Sequence, residues 1–175
     1  DACMRALKYS GWLNFRMRAM VMSFVSHHLW LQWREPALYL ASQFTDYEPG
    51  IHYSQCQMQA GTTGINSIRI YNPIKQSKDH DPEGIFIKKW IPELTECPTE
   101  HIHTPWEWIS NKNTYSEPIV DEKQARKQAA DHLYSLRRAK GFHNEAQGIV
   151  KKHGSRRRSI KKKTNQNHQQ LSLIE

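Results

Sequence analysis

Three cysteines in 175 residues, Cys3, Cys56 and Cys97, are too few and too scattered for a disulfide scaffold or a four-thiolate metal site. Long apolar runs are also missing. No stretch reaches the roughly 18 residues a membrane span needs, and the mean hydropathy is −0.80. The first residues, beginning at Asp1, show no charged region leading into an apolar one, so no secretion signal is read there. Together these absences predict a protein of the cytoplasm or nucleoid that does not engage a membrane. Internal repeats, Gly-rich nucleotide loops and catalytic-triad patterns are absent as well. His27-His28 and His101-Ile102-His103 have poor metal-ligand spacing with no joining carboxylate–cysteine pattern, so no metal is expected.

Tryptophan and positive charge are abundant. There are six tryptophans, and the net charge is +8. The charge is uneven: residues 1–118 carry 11 Lys+Arg against 12 Asp+Glu, a net of −1, while residues 119–175 carry 14 against 5, a net of +9. The basic residues concentrate at Lys151-Lys152, Arg156-Arg157-Arg158 and Lys161-Lys162-Lys163. Such runs bind phosphate backbones or remain solvated. The same segment is rich in Gln, Asn, Ser and His and poor in large apolar residues. Residues 142–175 are therefore expected to be a basic, disordered tail behind a folded unit over 1–141.

Apolar spacing predicts a helix over residues 13–32, carried by Leu13, Met17, Met20, Phe24 and Leu31. Arg16 and Arg18 fall in its first turns, the unfavourable end of the helix dipole for cations, which implies an anionic partner. Pro36 suits the first turn of a helix over 36–44. Further helices are expected over 51–60, 84–90 and 121–139, with Gly61-Thr62-Thr63-Gly64 closing the first of these. Ser67–Tyr71 alternates briefly without an evident partner strand. Trp90, Trp106 and Trp108 are expected to pack the core. The fold class is mainly α with long ordered loops, and a monomer is expected.

Several segments taken together are specific. Asp1-Ala-Cys-Met-Arg-Ala-Leu, Gly11-Trp12, Trp33-Arg34-Glu35 and Arg69-Ile70-Tyr71-Asn72-Pro73 come first. Phe86-Ile87, Trp90, Pro92-Glu93-Leu94, Pro105-Trp106 and Pro118-Ile119-Val120-Asp121 follow, with Ala125-Arg126 closing the set. In this order they resemble the C-terminal part of the all-helical flavin domain of the photolyase/cryptochrome family, over roughly residues 1–130. The resemblance implies FAD as cofactor, with complete binding depending on an upstream part of the domain that holds the phosphates. It also implies blue-light electron transfer from reduced flavin to a pyrimidine lesion flipped out of DNA. Extrusion is physically reasonable, because a flavin cannot reach a base inside the stack.

Residue by residue, the resemblance places Arg18 near the flavin ring, Asp46 as its carboxylate partner, Glu48 where a backbone meets the ring's polar edge, and His52 facing the ring. Histidine there could donate or accept a proton near neutral pH. Arg16 suits a phosphate or base contact. Phe15 stands where the family usually has an Asn that contacts the lesion, Ala19 where it commonly has Met, and Met58 where photolyases have a Trp that packs on the dimer. Trp33 keeps the middle station of the family's electron relay, whereas Cys56 replaces the tryptophan nearest the flavin. A buried, inert thiol is the expected state of Cys56. Lys151, Lys152, Arg156, Arg157, Arg158, Lys161, Lys162 and Lys163 are expected to add nonspecific DNA affinity.

Three functions remain open on these grounds. The first is a fragment of a DNA photolyase acting on damaged DNA. The second is a cryptochrome-like photoreceptor without repair activity, favoured by Phe15, Met58 and Cys56. The third is a flavin-free basic nucleic-acid-binding module.

Overall fold

Asn14 begins the helix that carries most of the candidate residues. Its side-chain oxygen accepts from Met17 N–H at 3.0 Å, which satisfies one of the free amides of the first turn. The computed structural model describes residues 1–109 and 115–154, and places nine α-helices among them. They are α1 (Ala2–Ser10), α2 (Phe15–Ser23), α3 (Arg34–Gln43), α4 (Pro49–Gln59) and α5 (Pro73–His80), then α6 (Ile85–Trp90), α7 (Trp106–Ile109), α8 (Glu122–Arg138) and α9 (Phe142–His153). No strand occurs among the described residues; the alternating run 67–71 is irregular and is held by the Ser23 hydroxyl, which donates to the Arg69 carbonyl at 3.4 Å and accepts from Tyr71 N–H at 3.2 Å.

The long helix expected over 13–32 is shorter. It runs as α2 to Ser23 and widens into a π-turn over Phe24–His28, with Leu29 N–H donating to the Phe24 carbonyl at 3.1 Å. Trp30 then takes φ +54°, the left-handed region, and ends it. The Trp30 ring lies 5.3 Å from the His132 ring of α8. Three further helices, α1, α5 and the short α7, have no counterpart in the apolar periodicity. The start of α5 has its own local code, Asn72 capping Lys75 N–H at 2.8 Å with Pro73 in the first turn.

Residues 142–153, expected to be disordered, form α9 instead. Composition argues against an independent fold there, but α9 needs little core of its own because it docks on α8 and on the turn after α4. Arg156, Arg157, Arg158, Lys161, Lys162 and Lys163 lie outside the described residues.

Two clusters of buried side chains hold the helices. The larger joins α1, α2, α3 and α4 through Leu7, Leu13, Met22, Ala37, Leu40, Phe44 and Cys56. Leu7, Leu13 and Met22 are almost wholly buried, each worth about 1.5–3 kcal/mol. The smaller gathers Ile91, Leu94, Cys97 and Ile102. Phe86 and Trp90 pack against both clusters, and Trp108 against the smaller one. Gly84 sits at φ +68° beneath Ile102, where an added Cβ would collide with that side chain. Trp106, by contrast, lines a surface groove.

Candidate functional site

The start of α2, the end of α3, the link 44–48 and one face of α4 converge on a cleft of about 370 Å³. Gly11 makes this convergence possible. It closes α1 at φ +68°, and Thr45 N–H donates to its carbonyl at 2.9 Å. A Cβ on Gly11 would come within 2.5 Å of the Thr45 methyl. The close approach brings Asp46 opposite α2.

There Asp46 meets Arg18. The Arg18 Nη2 donates to both carboxylate oxygens, at 2.9 and 2.8 Å, and its Nε donates to the Leu13 carbonyl at 2.7 Å. The guanidinium carbon stands 4.0 Å over the Phe44 ring centroid. Hydrogen bonding from Arg18 holds the Asp46 carboxyl below its usual range. The two side chains are 27% and 50% exposed, so the pair adds only about 0–1 kcal/mol to stability. Its effect is positional: a cation is fixed by four contacts at the mouth of an apolar cleft.

Helix α4 presents His52, Gln55, Cys56 and Gln59 to the cleft, the i, i+3, i+4, i+7 spacing of one helical face. Glu48 caps this helix, its Oε2 accepting from Ile51 N–H at 2.6 Å, at the end where the dipole favours an anion. His52 Nε2 lies 2.8 Å from the Ala37 carbonyl. A carbonyl only accepts, so Nε2 carries a proton and, in the neutral ring, Nδ1 does not. Cys56 Sγ is 3.6 Å from the same nitrogen. Burial pushes the Cys56 thiol up to about 11, which keeps it protonated at neutral pH.

One polar atom on this face has no protein partner. Gln55 Oε1 is buried and accepts no hydrogen bond among the described residues. An unpaired buried acceptor costs about 1–3 kcal/mol. It lies in the wall of the cleft.

The structure brings together Phe15, Arg18, Asp46, Glu48, His52 and Cys56, with Ala19 in the wall. It does not bring Arg16, Met58 or Trp33 to the cleft. Arg16 is exposed and lines a second, larger groove of about 1450 Å³. Met58 lies off the lining face of α4. Trp33 packs against the core cluster that contains Cys56. Sequence reasoning missed Gln55, Gln59, Phe44, Tyr47 and Trp12, all of which line the cleft. The two glutamines were legible as helical neighbours of His52 and Cys56.

The histidine pairs act locally. His27 Nδ1 is 3.1 Å from the Ser23 hydroxyl, which also accepts from Tyr71 N–H. His28 Nε2 faces Glu122 at 3.7 Å. His103 joins the Ser77 hydroxyl at 2.7 Å and the Pro82 carbonyl at 3.2 Å. Among the described residues no three His, Cys, Asp or Glu side chains group as a metal site would need, and no helix is long and apolar enough to cross a membrane.

Comparison with known proteins shows the family of the chain. The family profile described as the FAD binding domain of DNA photolyase matches residues 1–135. The chain belongs to the photolyase/cryptochrome family. It is 36% identical over 145 residues to the deoxyribodipyrimidine photo-lyase of Escherichia coli, an alignment covering 80% of this chain and 31% of that protein. It is 30% identical over 131 residues to the cryptochrome DASH of Gloeobacter violaceus, covering 69% and 26%. Among solved structures, the archaeal photolyase of Sulfolobus tokodaii, crystallised with two FAD molecules, superposes with a TM-score of 0.70 at 32% identity. That match covers 77% of this chain and 31% of the other. The chain thus spans under a third of the length of these photolyase/cryptochrome relatives, as a helical part of their FAD-binding domain.

Proposed function

We propose that this chain supplies the ring-binding part of the flavin site in a blue-light-driven DNA photolyase. The observation that carries the reading is the cleft itself, a fixed Arg18–Asp46 pair and an unpaired Gln55 oxygen set in walls of Leu13, Ala19, Met22, Leu40 and Phe44. These residues fit an isoalloxazine ring, which is flat, apolar at one end and rich in donors and acceptors at the other. The phosphates and adenine need other donors, in keeping with the share of the domain spanned here.

FAD, when bound, supplies light absorption and one-electron chemistry. This chain's residues do the rest. Arg18 offers a positive charge whose orientation Asp46 and Leu13 already fix, so little reorganisation accompanies binding. Gln55 accepts a hydrogen bond from the polar edge of the ring. His52 holds its proton at Nε2 toward Ala37 and leaves Nδ1 as the basic atom. The apolar walls exclude water, which strengthens each of these contacts. Phe15 and Trp12, 61% and 54% exposed, stand at the rim as platforms on which an extruded base can stack. The net charge of +9 over residues 119–175 suits a DNA partner.

A receptor without repair activity is the second reading. Phe15 supports it, because it replaces the polar side chain expected to contact a lesion. Met58 supports it because it has no place on the cleft.

The test is flavin affinity in the complete protein. Arg18→Ala removes charge-assisted hydrogen bonds worth about 1.5–3 kcal/mol, so FAD should bind roughly 10- to 100-fold more weakly. Arg18→Lys should recover only part of this, since a lysine lacks the planar fork. An unchanged FAD affinity in Arg18→Ala would remove the ring from this cleft.

A further inference from the structure

The family match ends at residue 135, but the fold continues. Helix α8 runs on to Arg138, the chain turns at Gly141, and α9 follows to His153. This extension is tied down at both ends. Arg137 Nη2 donates to the Asn66 carbonyl. Ile149 packs over Gly64, its Cδ1 3.4 Å from where a Cβ would stand. Both contacts fall on the turn that closes α4, where Gly61 N–H donates to the Met58 carbonyl and Thr62 N–H to the Gln57 carbonyl. The extension is thus fastened to the far end of the helix whose lining face forms the cleft.

Its charge is one-sided. From Arg138 to Lys163 the sequence holds ten Lys+Arg and a single acidic residue, Glu145. Four of these cations, Arg138, Lys140, Lys151 and Lys152, lie among the described residues, and all four are exposed. None of the four forms an ion pair among the described residues. Lys151 and Lys152 complement the C-terminal dipole of α9, an effect worth about 0.3–1 kcal/mol. Arg137 and Arg138 stand in the same relation to the C-terminal dipole of α8, whereas Lys140 lies between the two helices. A lipid surface would need the apolar stripe of α9 free to insert. Phe142 and Ala146 are instead half-buried and Ile149 contacts Gly64, which leaves only Ile149 and Val150, 38% and 47% exposed, rather than a continuous apolar face. A duplex phosphate backbone asks only for fixed, exposed cations.

We propose that the α8–α9 extension is a docked arm that binds the phosphate backbone of DNA without reading sequence. Arg138, Lys140, Lys151 and Lys152 make the contacts. Arg137 and Ile149 hold the arm in place. The proposal rests on the reading that DNA is the substrate, and extends its footprint to a surface past the family's boundary.

The experiment uses the complete, FAD-loaded protein and an undamaged duplex, with affinity measured between 50 and 200 mM salt. The comparison variant carries Arg138→Gln, Lys140→Gln, Lys151→Gln and Lys152→Gln together. A second variant exchanges Lys for Arg and Arg for Lys at the same positions. Each neutralised phosphate contributes about 0.9 to the slope of log K against log salt. Four such contacts mean that the unaltered protein loses on the order of 100-fold more affinity over this range than the glutamine variant. The charge-conserving variant should follow the unaltered protein. Hydroxyl-radical footprints should show protection on one flank, lost in the glutamine variant. Equal salt slopes with DNA still bound would overturn the arm and leave the DNA reading standing. Failure of the unaltered protein to bind duplex even at 50 mM would overturn both.

Discussion

Cys56 sits one turn after His52 on the lining face of α4, with its sulphur 3.6 Å from Nε2. Burial raises the thiol to about 11, so it is neutral and a poor one-electron carrier. Resemblance to the family puts the innermost station of an aromatic relay at this position and the next one at Trp33. Both side chains pack into one core cluster. Restoring an aromatic ring at position 56 should therefore reconnect Trp33 to the cleft. In the complete, flavin-loaded protein, Cys56→Trp should speed light-driven reduction of the cofactor by at least ~10-fold, read by transient absorption. Fast reduction in the unaltered protein that disappears in Trp33→Phe would contradict a broken relay. Loss in Tyr53→Phe instead would assign the route to the Tyr47–His52–Tyr53 ring cluster, whose centroids lie 5.2 to 6.3 Å apart.

The π-turn Phe24–His28 carries two buried histidines. His27 is 2% exposed, and burial, reinforced by neighbouring His28, lowers it to about 4. His28 is lowered too, chiefly by burial and against the pull of Glu122. The unfolded chain binds a proton at His27 near pH 6.5, and the folded chain refuses it until about pH 4. Stability from this group is thus complete above pH 6.5 and is lost as pH falls toward 4, by up to about 3 kcal/mol. Thermal melts of the 175-residue chain should show a falling Tm between pH 7 and 5, and His27→Gln should flatten that slope. Parallel slopes in the two proteins would show that His27 does not control it.

This element also shows where sequence reasoning stops. The stripe Met17, Met20, Phe24 spelled out a helix, but its end did not follow from local preference. Trp30 adopts a left-handed backbone, and its ring meets that of His132, a hundred residues away in the chain. Helix α9 was illegible for the same kind of reason: Ile149 finds its surface on Gly64, and composition alone cannot reveal that contact.

At the scale of the whole molecule, the site was legible in kind and only partly in place. Arg18, Asp46, Glu48 and His52 line one cleft, and their roles toward a flavin are the proposal made above. Arg16 faces the other groove and Met58 lies off the lining face, because the period of α4 selects 52, 55, 56 and 59. The central claim is that this cleft, completed by the rest of the flavin domain, supports repair of damaged DNA. It is tested most directly by giving the complete, FAD-loaded and chemically reduced protein an oligonucleotide with a single cyclobutane pyrimidine dimer. Dimer loss is then measured under blue light and in the dark. The account predicts light-dependent splitting with multiple turnovers, abolished in the dark. FAD bound at full stoichiometry with no splitting under light would contradict it and leave the chain to a light receptor.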